Sequence, residues 1–141
     1  MRRPVRNAAR VSAPPVVLVV DVANVMGSRP DGWWRDRAGA AGRLLAELAP
    51  LWGTEVTTPD GLRLRVTRLV AVLEGRARDV AAPDGVEAVR ATADGDSAIA
   101  ALAEDLVGDG ELVLVVTADR GLRARLPAAA LVAGPRWVLS Q

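Results

Sequence analysis

Asp21, Glu74 and Asp119 each close an apolar run: VLVVD, VAVLE and LVVTAD. Asp94 and Asp96 stand in ADGDSAI, ahead of the third run. Any one of these acids has an ordinary explanation as a turn residue or a helix cap. If the runs are parallel strands, however, their ends share one edge, and four or five carboxylates crowd a single crevice. Like charges that close repel strongly unless a cation neutralises them. Donors that are all oxygen suit a hard cation such as Mg²⁺ or Mn²⁺.

The composition narrows the chemistry further. The chain has no Cys, His, Tyr, Phe or Lys, and all 18 basic residues are Arg. That removes thiol nucleophiles, disulfides and zinc sites built on Cys or His. It also removes Ser-His-Asp catalysis, Lys Schiff bases and the phosphate-binding lysine of a P-loop. Acid–base work near neutral pH falls to carboxylates.

At 141 residues, half of them hydrophobic, the chain reads as one domain preceded by a basic arm. Arg2, Arg3, Arg6 and Arg10 give residues 1–10 a charge of +4, and the remainder carries 14 Arg against 17 acids, or −3. The expected division is a flexible arm at 1–14, ending at the Pro14–Pro15 pair, and a folded domain at 15–141. Such an arm suits a polyanion, or is simply a solvated tail. No apolar stretch approaches the roughly 18 residues needed to span a bilayer. The N-terminus reads poorly as a signal peptide, so a cytoplasmic location without membrane partners is the expectation.

The elements that must position the acids follow from pattern. PVVLVVD (15–21) is a β-branched run typical of a strand buried on both faces. NVMGSRPDG (24–32) reads as a loop. WWRDRAGAAGRLLAELAPLW (33–52) reads as one helix whose buried side carries Trp34, Ala38, Ala41, Leu45, Leu48 and Trp52. GTEVTTPDGLR (53–63) is a loop or small hairpin. LRVTRLVAVLEG (64–75) and ELVLVVTAD (111–119) are further strands, and VEAVRA (86–91) is a short alternating one. DSAIAALAEDLV (96–107) is a helix with Ile99, Leu102, Ala103 and Leu106 inward. RGLRARLPA begins as a short helix and stops at Pro127, and a last strand is expected near 136–140. Strands alternating with helices imply an α/β fold with a mainly parallel sheet. Function in such sheets collects beyond the carboxyl ends of the strands.

Three motifs carry a family resemblance. VVDVANVMGS resembles the opening of PIN-like nucleases of the NYN group, in which an apolar strand runs into Asp with Asn three residues later. ADGDSAIAALA is similar to their second signature, an Asp opening a helix with Ile three residues on. VVTADRGLRARL resembles their third, Thr-x-Asp followed by Arg and a short helix. The order and approximate spacing match over residues 15–126. Val22 stands where members of the family often carry Gly.

The resemblance implies a three-layer Rossmann-like (PIN-like) fold and a ribonuclease whose acids hold one or two Mg²⁺ or Mn²⁺ ions. By position, Asp21, Asp96 and Asp119 match the acids, Asn24 matches the amide, and Glu74 occupies a strand-end acid place. Asp94 competes with Asp96 for one role, and Asp96 is preferred for its spacing to Ile99. Two such cations could set a water in line with a phosphodiester and stabilise the leaving oxygen. Asn24 would hold a ligand or a phosphate oxygen. Arg76 and Arg120 could reach backbone phosphates, or lie solvated at the surface. In GSRPDGWWRDR (27–37), Trp33 with Arg29 and Arg35 could contact unpaired RNA through stacking and charge, while Trp34 is expected in the core. The expected partner is therefore single-stranded RNA, with a homodimer or protein partner left open.

Other classes fit less well. A dinucleotide-binding Rossmann domain would want G-x-G-x-x-G where this chain has DVANVMG. Receiver and haloacid dehalogenase domains would want a Lys. The remaining alternatives are a catalytically silent PIN-like module that binds RNA or protein, and a toxin-type nuclease of a toxin–antitoxin pair.

Overall fold

The computed structural model describes residues 13–141. The basic arm read at 1–14 lies, except for Ala13 and Pro14, outside the described residues. β1 (Pro15–Asp21) forms where the Val-rich run predicts it and is buried from Val16 onward. Val16, Leu18 and Val20 join one apolar cluster, and Val17 and Val19 join another. The strand is thus covered on both faces, as a β-branched run without polar alternation demands.

Among the described residues six strands form one sheet: β1, β2 (Glu55–Thr57), β3 (Arg63–Leu73), β4 (Val86–Arg90), β5 (Val113–Val116) and β6 (Leu131–Ala133). The order is β2–β3–β1–β5–β6, with β4 also paired to β3. β1 runs parallel to β3 and β5, β3 parallel to β4, and β5 parallel to β6. β2 is antiparallel and makes a hairpin with the start of β3. The chain is therefore α/β with a mostly parallel sheet.

The helices between these strands supply the two clusters. α1 (Val22–Gly27), α2 (Arg37–Leu48) and α5 (Pro135–Leu139) contribute Val22, Val25, Leu44, Leu45, Leu48 and Val138 to one. α3 (Gly95–Gly108) and α4 (Arg120–Arg125) contribute Ile99, Ala103, Leu106 and Leu122 to the other. Burying the bulk of such a side chain is worth about 1.5–3 kcal/mol. No helix among the described residues is long and apolar enough to cross a membrane.

Four expectations need correction. Residues 24–27 are not loop: Asp21 accepts a hydrogen bond from the Asn24 N–H and starts α1 directly from the strand, with Val25 and Met26 buried beneath it. The helix expected over 33–52 is broken. Trp33–Arg35 is a single 3-10 turn, Asp36 then caps α2 through the Gly39 N–H, and Ala49–Leu51 is another 3-10 turn. Trp34 is consequently outside the α2 register and 52% exposed, and Trp52 is 53% exposed, while the inward face is Ala40, Ala41, Leu44, Leu45 and Leu48. Finally, the last strand is at Leu131–Ala133, and residues 135–139 are helical because Pro135 occupies the first turn, where its missing N–H costs nothing.

Candidate active site: an acidic crevice at the strand exits

β3, β1 and β5 are neighbours and point the same way, so their carboxyl ends share an edge. Asp21 is the last residue of β1 and lies opposite Val72 of β3, two residues before Glu74. Asp119 follows β5 by three residues and caps α4. The loop after β4 brings in the N-terminus of α3, with Asp94 and Asp96.

Asp21 is the anchor. It is 5% exposed, yet both carboxylate oxygens are satisfied. Oδ1 accepts from the Asn24 N–H at 3.2 Å, and Oδ2 accepts from the Thr117 hydroxyl at 2.9 Å. Burial pushes the Asp21 carboxyl above its ordinary value; the Thr117 and Asn24 hydrogen bonds oppose that rise, and the charges of Asp96 and Glu74 add to it. Thr117, fully buried, also accepts from the Asp119 N–H at 3.1 Å, so one hydroxyl links two of the acids. The Thr117 carbonyl is in turn clamped by Arg123, whose Nε and Nη2 donate at 2.9 and 2.6 Å.

Asn24 is engaged through its amide oxygen. Its Oδ1 accepts from the Ala118 N–H at 2.8 Å and ties the β5 exit to α1. Asp119 spends Oδ1 on the Leu122 N–H at 2.9 Å, which leaves Oδ2 without a partner among the described residues. Glu74 accepts from the Gly95 N–H through Oε2. A side chain at position 95 would put its Cβ 2.5 Å from that oxygen, so glycine leaves room for the Glu74 carboxylate to reach the helix start.

Asp94 and Asp96 differ in what they bond. Asp94 is the N-cap of α3 and accepts from both the Ser97 N–H, at 2.7 Å, and the Ser97 hydroxyl, at 3.2 Å. Those bonds, the backbone one first, hold its carboxyl below the usual value. Asp96, one residue into the helix, makes no hydrogen bond through its carboxylate among the described residues. Partial burial raises its carboxyl, and the charges of Asp119, Glu74 and Asp94 raise it further, against the pull of Arg125.

The four acids Asp21, Glu74, Asp96 and Asp119 are thus close enough to feel one another. Among the described residues, no three acidic side chains yet close on a common point to hold an ion. The donor set fits a hard cation in kind, with all-oxygen ligands, an unengaged Asp96 carboxylate and mutual repulsion that a cation would relieve. Side-chain rotation would have to bring the oxygens together.

The expected RNA contacts are dispersed. Arg29 is paired with Glu47 of α2. Arg35 lies over the exposed Trp34 ring, 5.7 Å from its centroid. Trp33 is half-buried against the core and lines a recess with Glu74 and Arg76. Arg120 is exposed at the start of α4. Sequence reasoning passed over Thr117, Arg123 and Arg37. Only Thr117 had a signal, its place in TAD; the clamp by Arg123 and the stacking of Arg37 over Trp33, 5.2 Å from the ring centroid, follow from packing. Val22, in the place of the family's Gly, is 1% exposed and packs into the core under α1.

No protein-family model and no curated protein sequence matches the chain. Among solved structures the chain is similar to Rae1 (YacP) from Bacillus subtilis, with a TM-score of 0.63 and 18% identity, over 88% of this chain and 71% of that one. A tryptophan-to-leucine variant of the same protein matches with a TM-score of 0.62 and 19% identity, over 88% and 72%. At that identity the likeness is one of fold: this chain shares the α/β architecture of those structures.

Proposed function

We propose that this protein is a metal-dependent ribonuclease with a three-layer, PIN-like fold of the NYN type, acting on single-stranded RNA in the cytoplasm. The observation that carries the reading is the gathering of Asp21, Glu74 and Asp119 at the exits of three parallel strands, with Asp96 at the start of α3 near enough to act on Asp21 and Asp21 buried and braced by Thr117. A buried acid among other acids costs stability, and groups of that kind gather at functional sites.

Asp21, Asp96 and Asp119 would hold Mg²⁺ or Mn²⁺, with Asp94, exposed at the cap of α3, beside them. When bound, such an ion supplies charge stabilisation to a phosphodiester and acidifies a water. Thr117 orients Asp21 and favours its charged form, to which the hydroxyl donates. Asn24 fixes the loop that carries Asp119. The Oε1 atom of Glu74, left free by the Gly95 bond to Oε2, can orient a water or take its proton. Arg76 and Arg120, without ion pairs among the described residues, are available to backbone phosphates.

The test is cleavage of labelled single-stranded RNA by the full chain across cations. Cutting is expected with Mg²⁺ or Mn²⁺, and loss of cutting with EDTA or in Asp21→Asn. Cleavage that persists in EDTA, or an Asp21→Asn variant as active as the parent, refutes the reading. RNA retention with no cleavage under any cation favours a silent binding module instead.

A further inference from the structure

We propose that the recess walled by Trp33 and Arg37, beside the acidic crevice, is a subsite for one unpaired nucleobase of the RNA chain. This rests on the ribonuclease reading and adds to it how the strand is gripped next to the cleaved phosphate.

The recess has a volume of 280 Å³ and is lined by Val22, Met26, Trp33, Arg37, Glu74 and Arg76, among others. Small-molecule pockets start at about 300 Å³, so the space suits a single base rather than a base pair or a folded peptide. Its floor is apolar, from Val22 and Met26 of α1. Its aromatic wall is fixed. Trp33 packs against the core, and Trp34 meets it edge-on, with centroids 5.9 Å apart and planes at 87°. The Arg37 guanidinium lies over the Trp33 ring. A flat heterocycle stacks on either an indole or a guanidinium plane, and unpaired bases in RNA are recognised in this way. Helical RNA keeps its bases stacked on each other and cannot offer one.

Charge supports the same occupant. Arg37 and Arg76 make no ion pair among the described residues, whereas nearby Arg29 is neutralised by Glu47. Two free guanidinium groups at the rim suit the phosphates on either side of a buried base. Glu74 belongs to both the recess and the acid edge. The base held here therefore belongs to a nucleotide adjoining the phosphate at the acids.

The experiment is fluorescence anisotropy of a short labelled single-stranded RNA with the full chain in EDTA, where cutting does not interfere. The intact RNA is compared with RNAs carrying one abasic nucleotide at each position in turn. One position is expected to weaken binding by roughly 5- to 150-fold, the range of a base–aromatic stack. Trp33→Ala should abolish that sensitivity, but it also removes packing. Arg37→Gln and Ala93→Leu, both at exposed positions, keep the test independent of folding. Arg37→Gln removes the stacked cation, and Ala93→Leu fills the recess. Each should weaken binding of intact RNA and blunt the abasic effect. No sensitive position, or an abasic effect unchanged in these variants, overturns the subsite. The two readings fail separately: position-dependent binding without cleavage under any cation refutes the nuclease alone, and cleavage without position dependence refutes the subsite alone.

Discussion

Thr117→Val removes one hydroxyl and leaves the shape of the side chain almost unchanged. That hydroxyl donates to Asp21 Oδ2 at 2.9 Å and accepts from the Asp119 N–H at 3.1 Å, in a fully buried position. A hydrogen bond to a charged group is worth about 1.5–3 kcal/mol, and a neutral one about 0.5–1.5 kcal/mol. Stranding the Asp119 N–H adds roughly 1–3 kcal/mol at any pH. The pH-dependent part comes from Asp21. Its carboxyl is already raised in the folded state by burial, and Thr117 is the largest influence pulling it back. A folded value above the unfolded one means that the folded protein binds the proton more tightly. Stability from this group is therefore present at low pH and is lost as pH rises through the folded value. Without Thr117 the folded value rises further, so that loss continues to higher pH. The variant should thus be less stable than the parent by roughly 1.5–4.5 kcal/mol at a pH below the folded value and by about 1 kcal/mol more at a pH above it, the difference between a neutral and a charge-assisted bond. Urea unfolding in EDTA at both pH values measures this, with the slope m checked for constancy. A penalty equal at both pH values, or larger in acid, would show that the hydroxyl does not brace an ionised Asp21.

Two further predictions follow from neighbouring atoms. Gly95→Ala would set a Cβ 2.5 Å from Glu74 Oε2, the far end of a flexible side chain. It should swing the Glu74 carboxylate off the Gly95 N–H and lower RNA cleavage with little change in Tm, so a variant that cleaves RNA like the parent would contradict the placement. Asp96→Asn should abolish cleavage while raising the Tm of the metal-free protein at neutral pH, because burial and the charges of Asp119, Glu74 and Asp94 oppose ionisation there. The gain should shrink as pH falls and Asp96 in the parent becomes protonated; a variant less stable than the parent at neutral pH would refute that account.

The sequence by itself determined the layout of the site. A Val-rich run too apolar for a surface strand has to be buried on both faces, and alternation with helices makes the sheet parallel. Asp21, Glu74 and Asp119 then share an edge whatever the details, because β1, β3 and β5 emerge on the same side. What periodicity could not decide was which groups meet across that edge. Asp94 and Asp96 have the same chemistry two residues apart, and only the helix start assigns the cap to one and leaves the other free. Trp33 and Trp34 are adjacent in the chain, and the break at Asp36 turned one inward and the other to solvent. Asn24 reads in sequence as the holder of a ligand or a phosphate oxygen, and only the packing of α1 against the β5 exit sets its Oδ1 on the Ala118 N–H. The hydroxyl that braces Asp21 comes from Thr117, 96 residues away. Local pattern reports how one element meets solvent and core. A hydrogen bond between two strand ends depends on how both elements pack, and so only the tertiary structure decides it.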